Sequence, residues 1–283
     1  MGISIVTDST SDIEPDRAAA LGIAVVPLFV VFGEKSYRDY VDLSRREFFK
    51  KLTAEKTLPI TSQPTAKMFE EAFAPLVAAG DEILCITISS KLSGTINAAR
   101  SAMQSFPNAK VTLFDSESAA GGLNLQVMLA RSLIEAGESL PQVLSLLEHE
   151  RQTQRLYACI PDLSHLQRNG RIGKAQAALG TMMKIVPVLR LRDGAVDAEA
   201  QVRTFARAQE LMLDLTMKNI DAIPAARFLV MHTNAPALAA EVLDRLRERL
   251  GSAAPLQLDI LEAGPAIAVH AGAGAVGIFS AHG

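Results

Sequence analysis

The chain has 283 residues, 49% of them hydrophobic, with 28 Lys and Arg against 31 Asp and Glu and a formal net charge of −3. That is enough apolar material for one large or two medium cores without disulfide or metal staples. The near-balanced charge argues against a broad nucleic-acid surface, which needs clustered Lys and Arg, and no apolar run approaches the about 20 residues that span a bilayer. The two cysteines, Cys85 and Cys159, lie in apolar surroundings without CxxC spacing and read as buried free thiols in a reducing compartment. The opening GISIVTDST is a strand rather than a signal peptide. The expected setting is cytoplasmic, with no stable membrane insertion.

In chain order, ISIVTDST reads as a buried strand ending in turn chemistry, and DIEPDRAAALG as a helix with Pro15 early and Gly22 as its stop. IAVVPLFVVFG reads as a second strand. SRREFFKKLTAE is amphipathic and helical, and PTAKMFEEAFAPLVAAG is a helix opened by Pro64. DEILCITI is a strand, TINAARSAMQSF a helix and KVTLFDS a strand. GGLNLQVMLARSLIEAG and SLPQVLSLLEHERQTQ are helices. Such alternation predicts a mainly parallel sheet covered on both faces.

The pattern changes near residue 155. RLYACI is a strand, DLSHLQRNGRI a polar turn region, and AQAALGTMM helical. IVPVLRLRDGAVDAEAQVR reads as antiparallel strands joined at Asp193-Gly194. A helix over 204–219 follows, then a strand (ARFLVMHT), a helix (APALAAEVLDRLRERLG), a strand (LQLDILEAG) and a closing strand near GAVGIFSAH. The fold class is therefore α/β in two domains, 1–155 with a mainly parallel sheet and 156–283 with a mixed one.

Local signatures of chemistry are few. Residues 272–277, GAGAVG, fit GxGxxG, but a dinucleotide fingerprint needs a strand before it and a full helix after it. Only six residues follow Gly277, so the run reads as a glycine-rich turn where backbone passes close to another group. There is no GxSxG elbow, HExxH, Walker A loop or CxxC pair. Of the five histidines, His149 sits in a charged run that reads as a solvated face, and His165 is ambiguous. His232 ends an apolar strand, where α/β proteins place site residues, and His270 is flanked by small residues that leave room for a ligand.

The junction SSKLSGTINAAR at 89–100 is richer. Ser93 and Gly94 lie between a strand and a helix, where backbone N–H groups and hydroxyls form a natural anion site. Plain N-capping employs one hydroxyl there and leaves others among Ser89, Ser90, Ser93 and Thr95. Thr61-Ser62-Gln63-Pro64 repeats the arrangement, and two such starts in one parallel sheet can converge on one crevice. Capping and an anion or carboxylate site both stand at this point.

Taken together, IVTDSTSDI (5–13), VPLFVVFGEKSYRDYVDL (26–43), TSQP (61–64), ITISSKLSGTINAA (86–99), VTLFDSESAAGG (111–122), DLSHLQRNGRI (162–172), VRT (202–204) and AIAVHAGAGAVG (266–277) resemble the DegV family of bacterial fatty-acid-binding proteins. No single motif is specific; eight in the same order are. The resemblance implies two α/β domains with a long-chain fatty acid buried in a tunnel between them, and no other cofactor. It implies that Thr61 and Ser93, with Ser62 and Gly94 beside them in the matching motifs, bind the carboxylate. Arg171 and His270 would belong to the same polar network. It further implies a carrier with no chemistry of its own, whose ligand a separate ATP-dependent fatty acid kinase converts to an acyl phosphate for phospholipid synthesis. Arg203 is the residue we place on the surface that docks that kinase. Two positions depart from the family pattern: Val186 stands in place of a lysine and Ala273 in place of a proline.

The energetics fit a carrier. A C16 chain buries about fifteen carbons at ~0.8 kcal/mol each, roughly 12 kcal/mol in gross transfer energy. Association and ordering offset about 4–15 kcal/mol of it. A buried carboxylate then needs several donors or it protonates. Phe29, Phe32, Phe69, Phe73, Met182 and Met183 are candidates for tunnel wall or for ordinary core. The rival readings are a serine hydrolase or acyltransferase using Ser93 with His270 as base, and a lipid-responsive sensor without a kinase partner.

Overall fold

The structure, a computed structural model, describes residues 2–55, 57–179, 185–218, 220 and 223–282. The chain divides into two compact units, Met1–Arg151 with Gly264–Ala266, and Gln152–Ala263 with Ile267–Gly283.

The first unit opens with β1 (Ile3–Asp8), α1 (Pro15–Leu21) and β2 (Ile23–Val26). Pro15 supplies the fixed φ of a first helical residue, and Gly22 closes the helix at φ 64°. The apolar run that reads as one strand is split at Pro27. β2 joins β1, whereas β3 (Phe29–Phe32) enters a separate antiparallel sheet with β4 (Lys35–Arg38). A proline has no N–H to donate to a ladder, so it marks where the chain leaves the first sheet.

Helix α2 (Arg45–Ala54) starts at a Ser44/Glu47 capping box. Then come β5 (Ile60–Ser62), α3 (Ala66–Ala78), β6 (Glu82–Thr87), α4 (Thr95–Met103), β7 (Val111–Asp115), α5 (Gly121–Glu135) and α6 (Leu140–Thr153). Pro64 does not open α3; Thr65 is its N-cap, accepting the Met68 N–H. Strand order in the main sheet is β2-β1-β6-β7, all parallel, and the small sheet is ordered β4-β3-β5.

One core lies between α3, α4 and the parallel sheet. It gathers Val6, Val26, Ile83 and Cys85 from the strands with Phe69, Phe73, Ala98, Ala99 and Ala102 from the helices. Phe69 and Phe73 are thus ordinary core, their rings tilted against each other at 5.8 Å. Phe32 packs on Phe48 at 5.9 Å. Phe29 instead lines a cavity of about 470 Å³ with Val26, Arg38, Val41 and Met68.

The second unit holds β8 (Arg155–Cys159), α7 (Ser164–Arg168), β9 (Val186–Arg192), β10 (Ala195–Val202), α8 (Phe205–Lys218), β11 (Ala226–His232), α9 (Pro236–Leu250), β12 (Gln257–Glu262), all but the first two residues of α10 (Pro265–Ala271) and β13 (Val276–His282). Its six-stranded sheet is ordered β10-β9-β8-β13-β11-β12, with only β11 and β12 parallel. The β9–β10 hairpin turns at Asp193 and Gly194, both at positive φ as a tight hairpin requires. The polar stretch after β8 is a short helix, α7, rather than turn alone. Of the stretch 175–183 expected as helical, residues up to 179 lie in a 3-10 segment, Gly173–Leu179, and the rest, with Met182 and Met183, lies outside the described residues. Cys85 and Cys159 are buried free thiols, and burial pushes the Cys159 thiol up to about 12. Among the described residues no helix is long and apolar enough to cross a membrane.

Candidate functional site

In the first unit, β1 and β6 lie side by side at the centre of the parallel sheet. The chain leaves β1 toward β2 on one flank and returns as β6 on the other, so their carboxyl ends form the switch point where open α/β sheets hold ligands. β6 runs into a loop whose backbone is spoken for. Ile88 N donates to Asp8 Oδ2 at 2.8 Å, Ser89 N to Ser118 O at 2.8 Å, and Ser90 N to Asp115 Oδ1 at 3.1 Å. Leu92 N and Ser93 N both donate back to Ser89 O.

The loop delivers Gly94 as the N-cap of α4, and no side chain caps that helix. Plain capping therefore does not account for the hydroxyls: Ser93 Oγ pairs with Thr95 Oγ1 at 2.8 Å instead. Ser93 and Gly94 remain partly exposed, while Thr95 and Ser89 are buried. This is a pair of hydroxyls at the positive end of a nine-residue helix.

Thr61 and Ser62 are not at a helix start. They belong to β5, where Thr61 pairs with Val30 and Ser62 with Phe29, in the small antiparallel sheet rather than the parallel one. The two segments meet all the same through the residue that follows. A Cβ added at Gly94 would overlap the Gln63 side chain, so glycine there leaves Gln63 room to lie against the start of α4. Gln63 and Thr95 thus join Thr61, Ser62, Ser93 and Gly94 in one neighbourhood. Gln63 was legible only as part of a motif.

The sequence also hid a group of buried carboxyls below the carboxyl end of β1. Asp8, Asp12 and Asp39 are each at most 2% exposed. Asp8 accepts Ile88 N and both the N–H and the hydroxyl of Thr10. Burial pushes it up to about 6 against those bonds. Among the described residues no group of His, Cys, Asp and Glu could hold a metal; the three carboxyls accept hydrogen bonds from backbone N–H groups.

In the second unit, His270 lies near the end of α10 and Arg171 follows α7. Burial, then the positive charge of Arg171, then His165, push the His270 imidazole down to about 4, so it is neutral at pH 7. Arg171 donates to Asn169 O at 2.6 Å. His165 is buried, its Nδ1 3.3 Å from Val269 O, and a Cβ at Gly272 would meet its ring at 2.8 Å. That is the close backbone approach read from the glycine run. Thr233 ties the run down, exchanging backbone bonds with Gly274 and Ala275 and donating its hydroxyl to Gly272 O. His232 serves its own chain: Nδ1 accepts Ala235 N ahead of α9 at 3.3 Å. His149 is exposed on α6, and Arg203 is exposed between β10 and α8.

Residues 2–282 match the family model described as "Uncharacterised protein, DegV family". The chain belongs to the DegV family. A DegV domain-containing protein of Deinococcus radiodurans is 38% identical over 283 residues, with 98% of each chain covered. Among solved structures, a DegV family protein of Thermus thermophilus, described for its fatty acid binding, superposes with a TM-score of 0.92 at 34% identity, covering 100% of both chains. The fatty acid binding protein DegV of Bacillus subtilis does so with a TM-score of 0.91 at 30% identity, again over 100% of both. The DegV assignment accounts for the α/β fold with one parallel and one mixed sheet.

Proposed function

We propose that this chain binds a long-chain fatty acid, holds its carboxylate at the Ser93–Gly94–Thr95 helix start, and presents it to an ATP-dependent kinase for acyl phosphate formation. The observation that carries the head-group assignment is the Ser93–Thr95 hydroxyl pair at a helix start that no side chain caps. Those hydroxyls and the nearby helix-start dipole suit an anion, and Gln63 lies beside them. The descriptions of the Thermus thermophilus and Bacillus subtilis structures support a fatty acid as the ligand class. On this reading Thr61, Ser62, Ser93 and Gly94 serve the carboxylate, and Arg171 and His270 belong to the same polar network. Arg203, exposed, is assigned to kinase docking.

Ser93 acts here as a hydrogen-bonding group and not as a nucleophile. Its partner Thr95 is a hydroxyl, which cannot serve as general base at neutral pH. The chain is then the non-catalytic subunit, cytoplasmic, carrying substrate for phospholipid synthesis. Native mass spectrometry of the freshly purified protein, followed by extraction, tests the first step: a C14–C20 fatty acid near one per chain is expected. An empty protein that refuses added palmitate would overturn the carrier reading. Acyl phosphate formed only when a cognate kinase and ATP are added supports the second step, and its absence would leave a lipid-responsive sensor.

A further inference from the structure

The sequence contains two aspartates whose use is not explained by head-group binding. Asp12 follows β1 and Asp39 follows β4, and both are buried. Each accepts a backbone N–H from residues far along the chain. Asp12 Oδ1 takes Gly264 N at 2.8 Å, and Asp39 Oδ1 takes Ala266 N at 3.3 Å. Gly264–Ala266 is the one stretch after Arg151 that belongs to the first unit. It is also the start of α10, the helix that carries His270.

The surroundings are built for this contact. Tyr40 donates its hydroxyl to Asp12 Oδ1 at 3.2 Å, and its ring fills the space that a Cβ at Gly264 would need. Arg45 donates to Tyr40 Oη at 2.9 Å, stacks over the Tyr40 ring at 5.2 Å, and bonds Glu14. Asp12 and Tyr40 both sit at positive φ, 55° and 61°. A tyrosine pays for that conformation, and such strain persists only where the surroundings over-determine it. Asp12 Oδ2 is buried with no hydrogen-bond partner among the described residues, an arrangement that a purely structural contact does not require.

We infer that Asp12 and Asp39 are positioning residues for fatty-acid binding: their carboxyls fix the first turn of α10 and thereby the backbone on which His270 sits. This rests on the fatty-acid reading above. The same geometry makes the latch sensitive to pH. Burial, and then Asp39, push Asp12 up to about 8 against the Gly264 bond, Arg45 and Tyr40. Burial and, more weakly, Asp8 push Asp39 up to about 7 against the Ser9 hydroxyl, the Ala266 bond and Arg45. Raising the pH through that range places two charges in one buried site.

The test uses the full chain and palmitate. In Asp12→Ala and Asp39→Ala, amide exchange at Gly264 and Ala266 should lose its protection, and palmitate should bind at least about tenfold more weakly. Asp12→Asn and Asp39→Asn keep an oxygen that accepts the N–H but cannot ionise. They should keep the protection, bind like wild type at low pH, and flatten the decline in affinity that wild type shows from about pH 6 to about pH 9. Ala variants with wild-type protection, or with lost protection and unchanged affinity, would overturn the proposal. Should the Ala variants not fold, Asn variants whose pH profile follows wild type overturn it equally. Wild-type protein that binds no palmitate would sink the fatty-acid reading itself. The amide exchange would still report whether the latch exists.

Discussion

Asp8 Oδ2 accepts the N–H of Ile88 at 2.8 Å, 80 residues away, and so fastens the end of β1 to the loop that carries Ser93. Its other oxygen holds Thr10. The carboxyl that shapes the loop before Ser93 is thus itself buried, with a pKa raised to about 6. A carboxyl raised in the folded state binds its proton more tightly there than in the unfolded chain. Its stabilising contribution is full below about pH 4 and is lost as pH rises through the folded value. Asp8, Asp39 and Asp12 together place that loss between about pH 4 and about pH 8. The urea midpoint should therefore fall across this window. Asp8→Asn should remove the lowest part of the fall, and a midpoint that rises steadily with pH in both proteins would contradict the assignment.

Ser93→Ala and Thr61→Ala are each expected to weaken palmitate binding by roughly 0.5–3 kcal/mol, a range that spans the loss of one neutral or one charge-assisted hydrogen bond. Both variants are expected to fold. Ser93 bonds Thr95, and the backbone of Thr61, unaffected by the change, keeps its pairing with Val30. Calorimetric titration with circular dichroism as the folding control decides the matter. Two folded variants binding palmitate like wild type would remove both residues from the carboxylate site.

The switch-point loop was readable because its cause is local: an apolar run, a cluster of hydroxyls and a glycine before a helix. The TSQP segment was half readable. Its hydroxyls look like a helix start, yet β5 claims Thr61 and Ser62 for pairing with β3, and the residue that reaches Gly94 is Gln63. IAVVPLFVVFG hid a change of sheet, since apolar spacing is the same on either side of Pro27. Nothing local marks Asp12 as the acceptor for Gly264, 252 residues on. Helix α10 was missed for a similar reason. GPAIAVHA is too short and too uniformly apolar to show a helical period, and its start is held by partners from the opposite end of the chain.

Gly94→Ala tests the neighbourhood from the other side. The new methyl would occupy the place of the Gln63 amide. The backbone at Gly94 has φ −77°, which alanine adopts freely. The expected result is a folded protein, with Gln63 displaced and palmitate affinity reduced by about 1 kcal/mol or more. Gln63→Ala should recover part of that loss in the double variant, because the clash is gone. Additive losses would show that Gln63 and Gly94 act independently.

Phe73→Ala probes the core beneath the site. The ring is fully buried, tilted against Phe69 at 5.8 Å and edge-on to Phe106 at 6.5 Å. Truncation should destabilise the protein by about 3–5 kcal/mol, read from the denaturation midpoint. The cavity would open in the core cluster shared by α3, α4 and the sheet, of which Ser93 is not a member, so the folded fraction should bind palmitate with wild-type affinity. A selective loss of binding would place Phe73 in the tunnel wall after all.

His270 offers the most direct check on the second unit. Burial first, then Arg171 and His165, hold its imidazole down to about 4. A base with a lowered pKa binds fewer protons when folded, so its contribution to stability is present above about 6.5 and lost as pH falls toward 4. This is opposite in sign to the aspartates. An NMR titration of the imidazole should show a midpoint near 4 and a neutral ring at pH 7. Arg171→Ala removes a neighbouring positive charge, so the midpoint should rise while remaining below 6.5, since burial is the larger cause. A wild-type midpoint near 6.5 would mean that the ring is neither desolvated nor under the influence of Arg171, and would remove the pair from the polar network proposed to meet the carboxylate.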